Sequence, residues 1–112
     1  MSLATVVSPG CAVNDLTEEQ LTATAALFSA LAHPGRLRML FALMRDSPLS
    51  AGELAERAGL EQTAASHQLR HLRRARLIDA RREGRLVLYT LTDTHVSHII
   101  HDAVVHAQEE HP

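Results

Sequence analysis

The 112-residue sequence predicts a mainly α-helical domain with a β-hairpin wing, an α+β fold. Apolar residues recur every three to four positions over five stretches, which is the period of helices packed on a common core. Two stretches begin with a hydroxyl residue followed three positions later by Gln or Glu, the capping box that marks a helix start. Between residues 77 and 91 the pattern changes to alternation around a Glu-Gly pair, which indicates a hairpin.

Composition predicts one soluble domain with a local basic face. Every basic side chain is an arginine, and seven of the eleven lie between residues 70 and 85 against only two acids, a local charge of +5. The rest of the chain carries −7, so a polyanion partner is expected at one place. Cys11 is the only cysteine, which excludes a disulfide framework. With no signal peptide or membrane span in the sequence, we expect a cytoplasmic protein with no membrane partner. We also expect no small-molecule substrate.

The chain divides into an arm, a domain and a short end. Residues 1–14 contain Ser, Pro and Gly without a period and predict a flexible N-terminal arm. Residues 15–110 predict one folded domain, and residues 111–112 are the C-terminal end.

The first two helices follow directly from their start signals. Thr17 and Gln20 form a capping box for a helix that runs to about residue 32. Pro34 breaks that helix and opens a second one, which runs to about residue 45. The side chains expected to point inward from the second helix are Leu37, Leu40, Phe41 and Met44.

The third and fourth helices predict a helix-turn-helix. Ser50 and Glu53 form a second capping box, and Gly59 ends the short helix that follows. A fourth helix runs from about residue 61 or 62 to residue 75. Its apolar positions, Ala65, Leu69 and Leu72 with Leu77 just beyond it, lie opposite a polar, basic face. Residues 77–82 and 85–91 then read as two strands joined by Glu83-Gly84. A helix-turn-helix followed at once by a hairpin is a winged helix-turn-helix.

The polar face and the wing provide the candidate DNA contacts. Thr63, Ser66, His67 and Arg70 lie near the start of the recognition helix and are expected to face base edges. The side chains expected to neutralise phosphates are Arg74, Arg82 and Arg85. The alternative is a solvated charged helix and a hairpin tip whose arginines serve only solubility.

Residues 92–110 predict a last helix with an apolar and a polar stripe. Thr92 is the expected N-cap, with Asp93 in the first turn. His95 and His106 are eleven residues apart, which turns both rings the same way but separates them by about 16 Å along the axis. The apolar stripe consists of Val96, Ile99, Ile100, Ala103, Val104 and Ala107.

That spacing predicts a metal site shared between two chains. Metal–nitrogen bonds are about 2 Å long, so one straight helix cannot bring both histidines to one ion. Two antiparallel last helices across a two-fold axis place His95 opposite the partner's His106. With Asp93 and the partner's Glu109, the set offers two nitrogens and two carboxylates, and the symmetry gives two sites per dimer.

The metal identity and a simpler alternative stay open at this point. Four ligands of this kind favour Zn²⁺, whereas Ni²⁺ or Co²⁺ would want more ligands. The further candidate ligands are His111, His98 and Asp102, while His101 points elsewhere. The alternative is a His-rich surface helix that binds no metal.

The sequence resembles the ArsR/SmtB family of bacterial metal-sensing repressors over about residues 27–109. The matching segments are residues 30–40 (ALAHPGRLRML), similar to the entry to the family's second helix, and residues 62–73 (QTAASHQLRHLR), similar to its recognition helix. Residues 82–85 (REGR) and 89–91 (YTL) resemble its wing.

The resemblance implies that residues 15–110 are the DNA-binding and dimerisation domain of a homodimer. The dimer would form through the first and last helices, bind operator DNA without metal and be released by metal. One subgroup binds metal on the last helix through Asp-x-His and the partner's His-x-x-(His/Glu), which Asp93, His95, His106 and Glu109 match. It also implies coupling from the His106 ring to the backbone carbonyl near Arg76. The cysteines that other members carry at the third helix are absent, which disfavours soft-metal sensing there.

Three alternatives to a zinc-responsive repressor remain. The first is a nickel- or cobalt-sensing repressor of the same fold, and the second is a DNA-binding regulator whose last helix only dimerises. An enzyme is the third and weakest, since no nucleophile–base pair or Gly-rich loop accompanies the histidines.

Overall fold

The computed structural model describes residues 15–109 and confirms the mainly α fold with a hairpin wing. The elements are α1 (Glu18–Leu31), α2 (Pro34–Asp46), β1 (Leu49–Ser50), α3 (Ala51–Ala58), α4 (Gln62–Arg74), β2 (Ile78–Glu83), β3 (Leu86–Leu91) and α5 (Thr94–Gln108). Among the described residues, no helix is long and apolar enough to cross a membrane. The predicted arm, Cys11 and His111 lie outside the described residues.

Both predicted capping boxes form. The Thr17 hydroxyl accepts from the Gln20 amide at 3.0 Å, and the Gln20 side chain accepts from the Thr17 amide at 2.9 Å. Ser50 and Glu53 make the same exchange at the start of α3, at 3.2 and 2.9 Å. Each box satisfies two backbone N–H groups that a helix start leaves without an intrahelical partner. The sequence signal and the local structure therefore agree at α1 and α3.

The predicted break between α1 and α2 is also a helix cap. Nδ1 of His33 accepts from the backbone N–H of Gly35 at 3.1 Å and of Arg36 at 3.4 Å. Pro34 occupies the first turn of α2, where its missing N–H costs nothing. A Cβ added at Gly35 would lie 3.2 Å from the His33 ring and 3.3 Å from Leu60, so the glycine permits this close approach.

The core lies between α2, α3, α4 and the sheet, and it corrects one expectation for α2. Leu40 is buried as predicted, but Leu37, Phe41 and Met44 are only half-buried, and Met39 and Leu43 are buried instead. Since apolar residues occupy most of α2, the sequence does not show which arc of the helix faces inward. On α4, by contrast, the polar residues define the buried face, and the predicted Ala65, Leu69, Leu72 and Leu77 are all buried.

The sheet has the order β1-β3-β2 and is antiparallel throughout. β1 pairs Leu49 with Tyr89, and its two residues are too few to leave a pattern in the sequence, so this strand was not predicted. The predicted Glu83-Gly84 turn is wrong by one residue, because Glu83 pairs with Leu86 and the turn is Gly84-Arg85. Gly84 takes the first turn position with φ +62°, which suits the mirror-image turns of two-residue hairpins.

The start of α5 is a second correction. The N-cap is Asp93 and not Thr92, since an Asp93 carboxylate oxygen accepts from the Val96 amide at 3.3 Å. Thr92 is still tied to the start of the hairpin, because its amide donates to the Leu77 carbonyl at 3.1 Å. Because Thr and Asp both cap helices well, the sequence does not distinguish them. The hydrogen bond from the Val96 amide to the Asp93 carboxylate identifies Asp93 as the cap.

Candidate nucleic-acid interface and metal half-sites

The recognition helix α4 presents its predicted reading side chains to solvent. Ala65, Leu69 and Leu72 anchor its inner face in the core, which fixes the outer face in one orientation. All five side chains predicted on the polar face are exposed, namely Thr63, Ser66, His67, Arg70 and Arg74. The whole polar face of α4 is therefore accessible to a binding partner.

A cavity of about 470 Å³ lies between this helix and the third strand. Its lining side chains are Ser66, Arg70, Arg73, Arg74 and Tyr89. Three guanidinium groups with two hydroxyls form a site chemically suited to phosphate oxygens. Arg73 and Tyr89 were not predicted as site residues; Arg73 lies within the arginine run of the sequence, whereas Tyr89 is placed only by the β3 register.

Two histidines make an edge-on contact on the same helix. The ring centroids of His67 and His71 are 4.9 Å apart and the planes meet at 82°. Partial loss of water around the His71 ring lowers its pKa, and the nearby charge of Arg36 lowers it further. His71 therefore favours its neutral form, and the positive charge of this surface comes from the arginines.

The wing carries its two predicted arginines on an exposed tip. Arg82 pairs in register with Val87 on the hairpin, and Arg85 lies in the turn itself. Arg81 is held by Glu83 at 3.3 Å. Both Arg82 and Arg85 are exposed, which is the placement that a contact to a DNA backbone requires.

The predicted metal ligands form two pairs at opposite ends of α5. Nδ1 of His95 lies 3.6 Å from an Asp93 carboxylate oxygen, and Nδ1 of His106 lies 3.7 Å from a Glu109 carboxylate oxygen. All four side chains are exposed, between 47% and 83%. The cap bond from Val96 also orients Asp93, as hydrogen bonds commonly orient metal-ligating carboxylates.

A single chain does not complete the site. Within residues 15–109, no three His, Cys, Asp or Glu side chains lie close enough together to hold one ion. The two pairs are about 16 Å apart along α5, so each is at most half of a site. His98 and Asp102 are exposed and lie between the pairs in the sequence of the helix.

An apolar groove of about 380 Å³ lies between α1, α2 and α5. It exposes much of the apolar stripe of α5, of which only Val96 and Ile100 are buried. Phe28 of α1 is 57% exposed beside it. The lining residues are Phe28, Leu31, Ala32, Leu37, Ile99, Ile100, Ala103, Val104 and Ala107.

Arg76, predicted to take part in coupling, occupies a strained backbone position. Its φ is +60°, in the left-handed region, and the Leu77 amide reaches back to the Leu72 carbonyl at 3.0 Å. Together these features form a Schellman-type end for α4, usually made with glycine. The residue therefore ends the recognition helix just before the wing, at a backbone cost of about 1 kcal/mol.

Comparisons with known proteins agree with this architecture. A family model described as "Bacterial regulatory protein, arsR family" matches residues 33–80. The chain is 41% identical over 96 residues to the HTH-type transcriptional regulator NmtR of Mycobacterium tuberculosis, covering 86% of this chain and 79% of that one. It is 44% identical over 91 residues to a transcriptional repressor SmtB homolog of Synechocystis, covering 81% and 68%.

Among solved structures, one neighbour is the homodimeric winged helix-turn-helix DNA-binding domain of a possible ArsR-family regulator from Mycobacterium bovis. Its TM-score is 0.74 at 25% identity, and the match covers 86% of this chain and 97% of that one. The fold, the exposed recognition helix and the relatives from M. tuberculosis and Synechocystis all point to the same family. This chain belongs to the ArsR/SmtB family of bacterial transcriptional regulators, which are DNA-binding proteins and not enzymes.

Proposed function

We propose that this protein is a metal-responsive transcriptional repressor that binds operator DNA as an apo homodimer and releases it when a divalent metal binds between the last helices. The observation that carries the proposal is the division of the ligands into two pairs, Asp93 with His95 and His106 with Glu109, at opposite ends of α5. Neither pair is a site by itself, and two-fold symmetry joins each to its complement. A repressor of this kind acts in the bacterial cytoplasm, where the operator lies.

The groove between α1 and α5 supports the dimer. A second copy packed there would cover Phe28 and the exposed part of the α5 stripe, which a stable monomer rarely leaves open. The M. bovis relative is homodimeric, and its fold matches this chain. Dimerisation through α1 and α5 leaves α4 and the wing of each protomer open to DNA.

On the DNA side, each protomer would present its recognition helix to one half-site. Thr63, Ser66, His67 and Arg70 would read base edges in the major groove, and Arg74, Arg82 and Arg85 would hold phosphates. The arginine-lined cavity beside Tyr89 would add further phosphate contacts.

The donor set favours zinc. Two imidazole nitrogens and two carboxylates complete a four-coordinate site, the number that Zn²⁺ prefers. Nickel or cobalt sensing is the alternative, with His111 as an added ligand from outside the described residues. The visible spectrum of the Co²⁺-substituted dimer distinguishes the two: intense bands indicate a tetrahedral site, and weak bands, which indicate six ligands, would overturn the zinc assignment.

Coupling would run through His106. Metal-bound histidines usually donate their second ring N–H to a nearby acceptor, and the carbonyl near Arg76 is the acceptor that we propose. The strained end of α4 lies there, so fixing the ring would bias the placement of the recognition helix. Blocking that nitrogen should leave metal affinity largely intact and weaken the DNA response; equal loss of both would count against a dedicated bond.

The proposal is tested by DNA binding to the promoter upstream of the protein's own gene, with and without Zn²⁺ and Ni²⁺. The metal-free dimer should bind, and saturating metal should weaken binding by about 5- to 150-fold, the usual range of allosteric coupling. The matched control is His101→Gln, an exposed histidine on α5 outside both pairs, which should keep the response. Tight DNA binding that no metal alters would instead support the regulator without a metal ligand.

A further inference from the structure

We infer a third metal site at the centre of the dimer, built from His98 and Asp102 of both protomers and lying on the two-fold axis. The inference rests on the proposed function, because it needs two antiparallel α5 helices. Both side chains are exposed on α5. The site is distinct from the two outer sites and would bridge the subunits without using any of their ligands.

Within one protomer, the spacing of the pair suits chelation. His98 and Asp102 are four residues apart on a continuous helix, which leaves about 40° between their directions and about 6 Å along the axis. Helical histidines at this same spacing hold zinc in the His-Glu-x-x-His motif. Each α5 therefore provides one nitrogen and one carboxylate to a single ion.

The two-fold axis brings the two pairs to nearly the same level along the helices. If His95 lies opposite the partner's His106, the axis passes between residues 100 and 101. His98 then lies within about 1.5 Å, along the axis, of the level of the partner's Asp102. The two pairs are centred on the crossing point, which is about 8 Å along the helix from each outer site.

Charge makes this position favourable for a cation. The levels of the two Asp102 residues differ by only about 4.5 Å along the helix axis in the dimer, so two carboxylates lie near the centre. Arginine does not occur on α5, so the helix itself offers no fixed positive charge there. A divalent ion held by two imidazoles and two carboxylates compensates the carboxylate charge with the donor types that zinc accepts.

The test removes the outer sites and counts the ions that remain bound. A dimer with His95→Gln and His106→Gln in both protomers should still bind one Zn²⁺, measured by equilibrium dialysis and elemental analysis, whereas the unaltered dimer binds three. Adding His98→Gln should abolish the remaining ion, and adding His101→Gln, the matched control, should not. Sedimentation should show that Zn²⁺ tightens the dimer of the outer-site variant and that His98→Gln removes this effect.

The outcomes separate this inference from the proposed function. Two ions in the unaltered dimer and none in the outer-site variant, with both proteins dimeric and folded by circular dichroism, would overturn the central site and leave the proposed function standing. A protein that stays monomeric with and without Zn²⁺ would overturn both. One ion that persists after both His98→Gln and Asp102→Asn would place it elsewhere and also overturn the inference.

Discussion

The recognition surface and the last helix have similar exposure but differ in how complete they are within one chain. On α4 and the wing, arginines and hydroxyls converge on a formed cavity beside Tyr89. On α5, the chemically active side chains form two separated pairs with a bare apolar stripe beside them. The first surface can meet its partner with one protomer, whereas in the proposed function the second is completed by another copy of the chain.

The difference shows where regulation can enter. Buried Leu69 and Leu72 fix the recognition helix to the core of its own protomer. The geometry of this binding surface therefore changes little, and the surface can only move together with the whole protomer. A site divided between subunits instead ties ligand binding to the relative placement of those subunits. In this protein the rigid surface would bind the DNA and the divided site would reposition it.

The largest effect is expected from breaking the dimer. Phe28→Asp places a charge in the groove that the second copy would cover. Burying a phenylalanine contributes about 1.5–3 kcal/mol and the change occurs twice per dimer, so the dissociation constant should rise at least about 100-fold. Analytical ultracentrifugation measures it. Val105→Asp, at an exposed position of α5 outside the groove, is the control and should leave the dimer intact.

The wing offers the next largest effect, on the DNA side of the comparison. Arg85→Ala leaves one phosphate per protomer without its arginine, so affinity should fall for all sequences alike. The slope of log K against log salt should decrease in magnitude by about 0.9 for each phosphate that is no longer neutralised. Titrations on operator and random duplexes at several salt concentrations measure it, with Arg45→Ala on α2 as the control. A change in sequence preference at an unaltered slope would contradict the assignment.

Asp93 allows the structural and the ligand roles of one residue to be separated. Asp93→Ala should lose the helix cap, at a cost of about 1 kcal/mol in the free energy of unfolding, and should also lose metal affinity. Asp93→Ser keeps a capping oxygen, so its stability should stay close to that of the unaltered protein while metal affinity still falls. Urea unfolding and metal titration measure the two. Equal stability of both variants would argue against the cap.

The smallest effect concerns pH and the capping box at the start of α3. Hydrogen bonds from the Ser50 backbone and hydroxyl hold the pKa of Glu53 below its usual value. The resulting stability is present above the pKa of the unfolded state and is lost as pH falls through the folded pKa. Glu53→Gln keeps an acceptor without the charge, so it should be slightly less stable at neutral pH and the difference should vanish in acid. A difference that persists in acid would exclude the charge as its cause; Glu56→Gln is the control.

The sequence predicted the elements that carry their own local signals. The capping boxes at Thr17 and Ser50 and the buried face of α4 were all confirmed, because hydrogen-bonding groups or polar residues mark them. The inward face of α2 was predicted only in part, because residues 39–44 are all apolar and Phe41 and Met44 pack against the core without being fully buried. The hairpin turn was wrong by one residue, a register shift that leaves no local mark in the sequence. Tyr89 could not be placed because its position at the cavity beside α4 depends on tertiary packing.

The metal site was predicted as a set of residues, and the four ligands remain a prediction. The structure brings Asp93 to His95 and His106 to Glu109, two contacts that sequence spacing alone leaves open. In the proposed site, each pair is completed by the other pair on a second copy of the chain. A single sequence indicates that arrangement only through the two-fold symmetry of a homodimer.

The cross-subunit site is tested most directly by a mixed dimer. One protomer carries Asp93→Ser and His95→Gln, the other carries His106→Gln and Glu109→Gln, and both carry His98→Gln so that only the outer sites are counted. One outer site then joins two damaged pairs, while the other joins two intact pairs. We expect the isolated heterodimer to bind one Zn²⁺ with near-native affinity and each parent homodimer to bind none. A folded heterodimer that binds no Zn²⁺ would contradict the shared site.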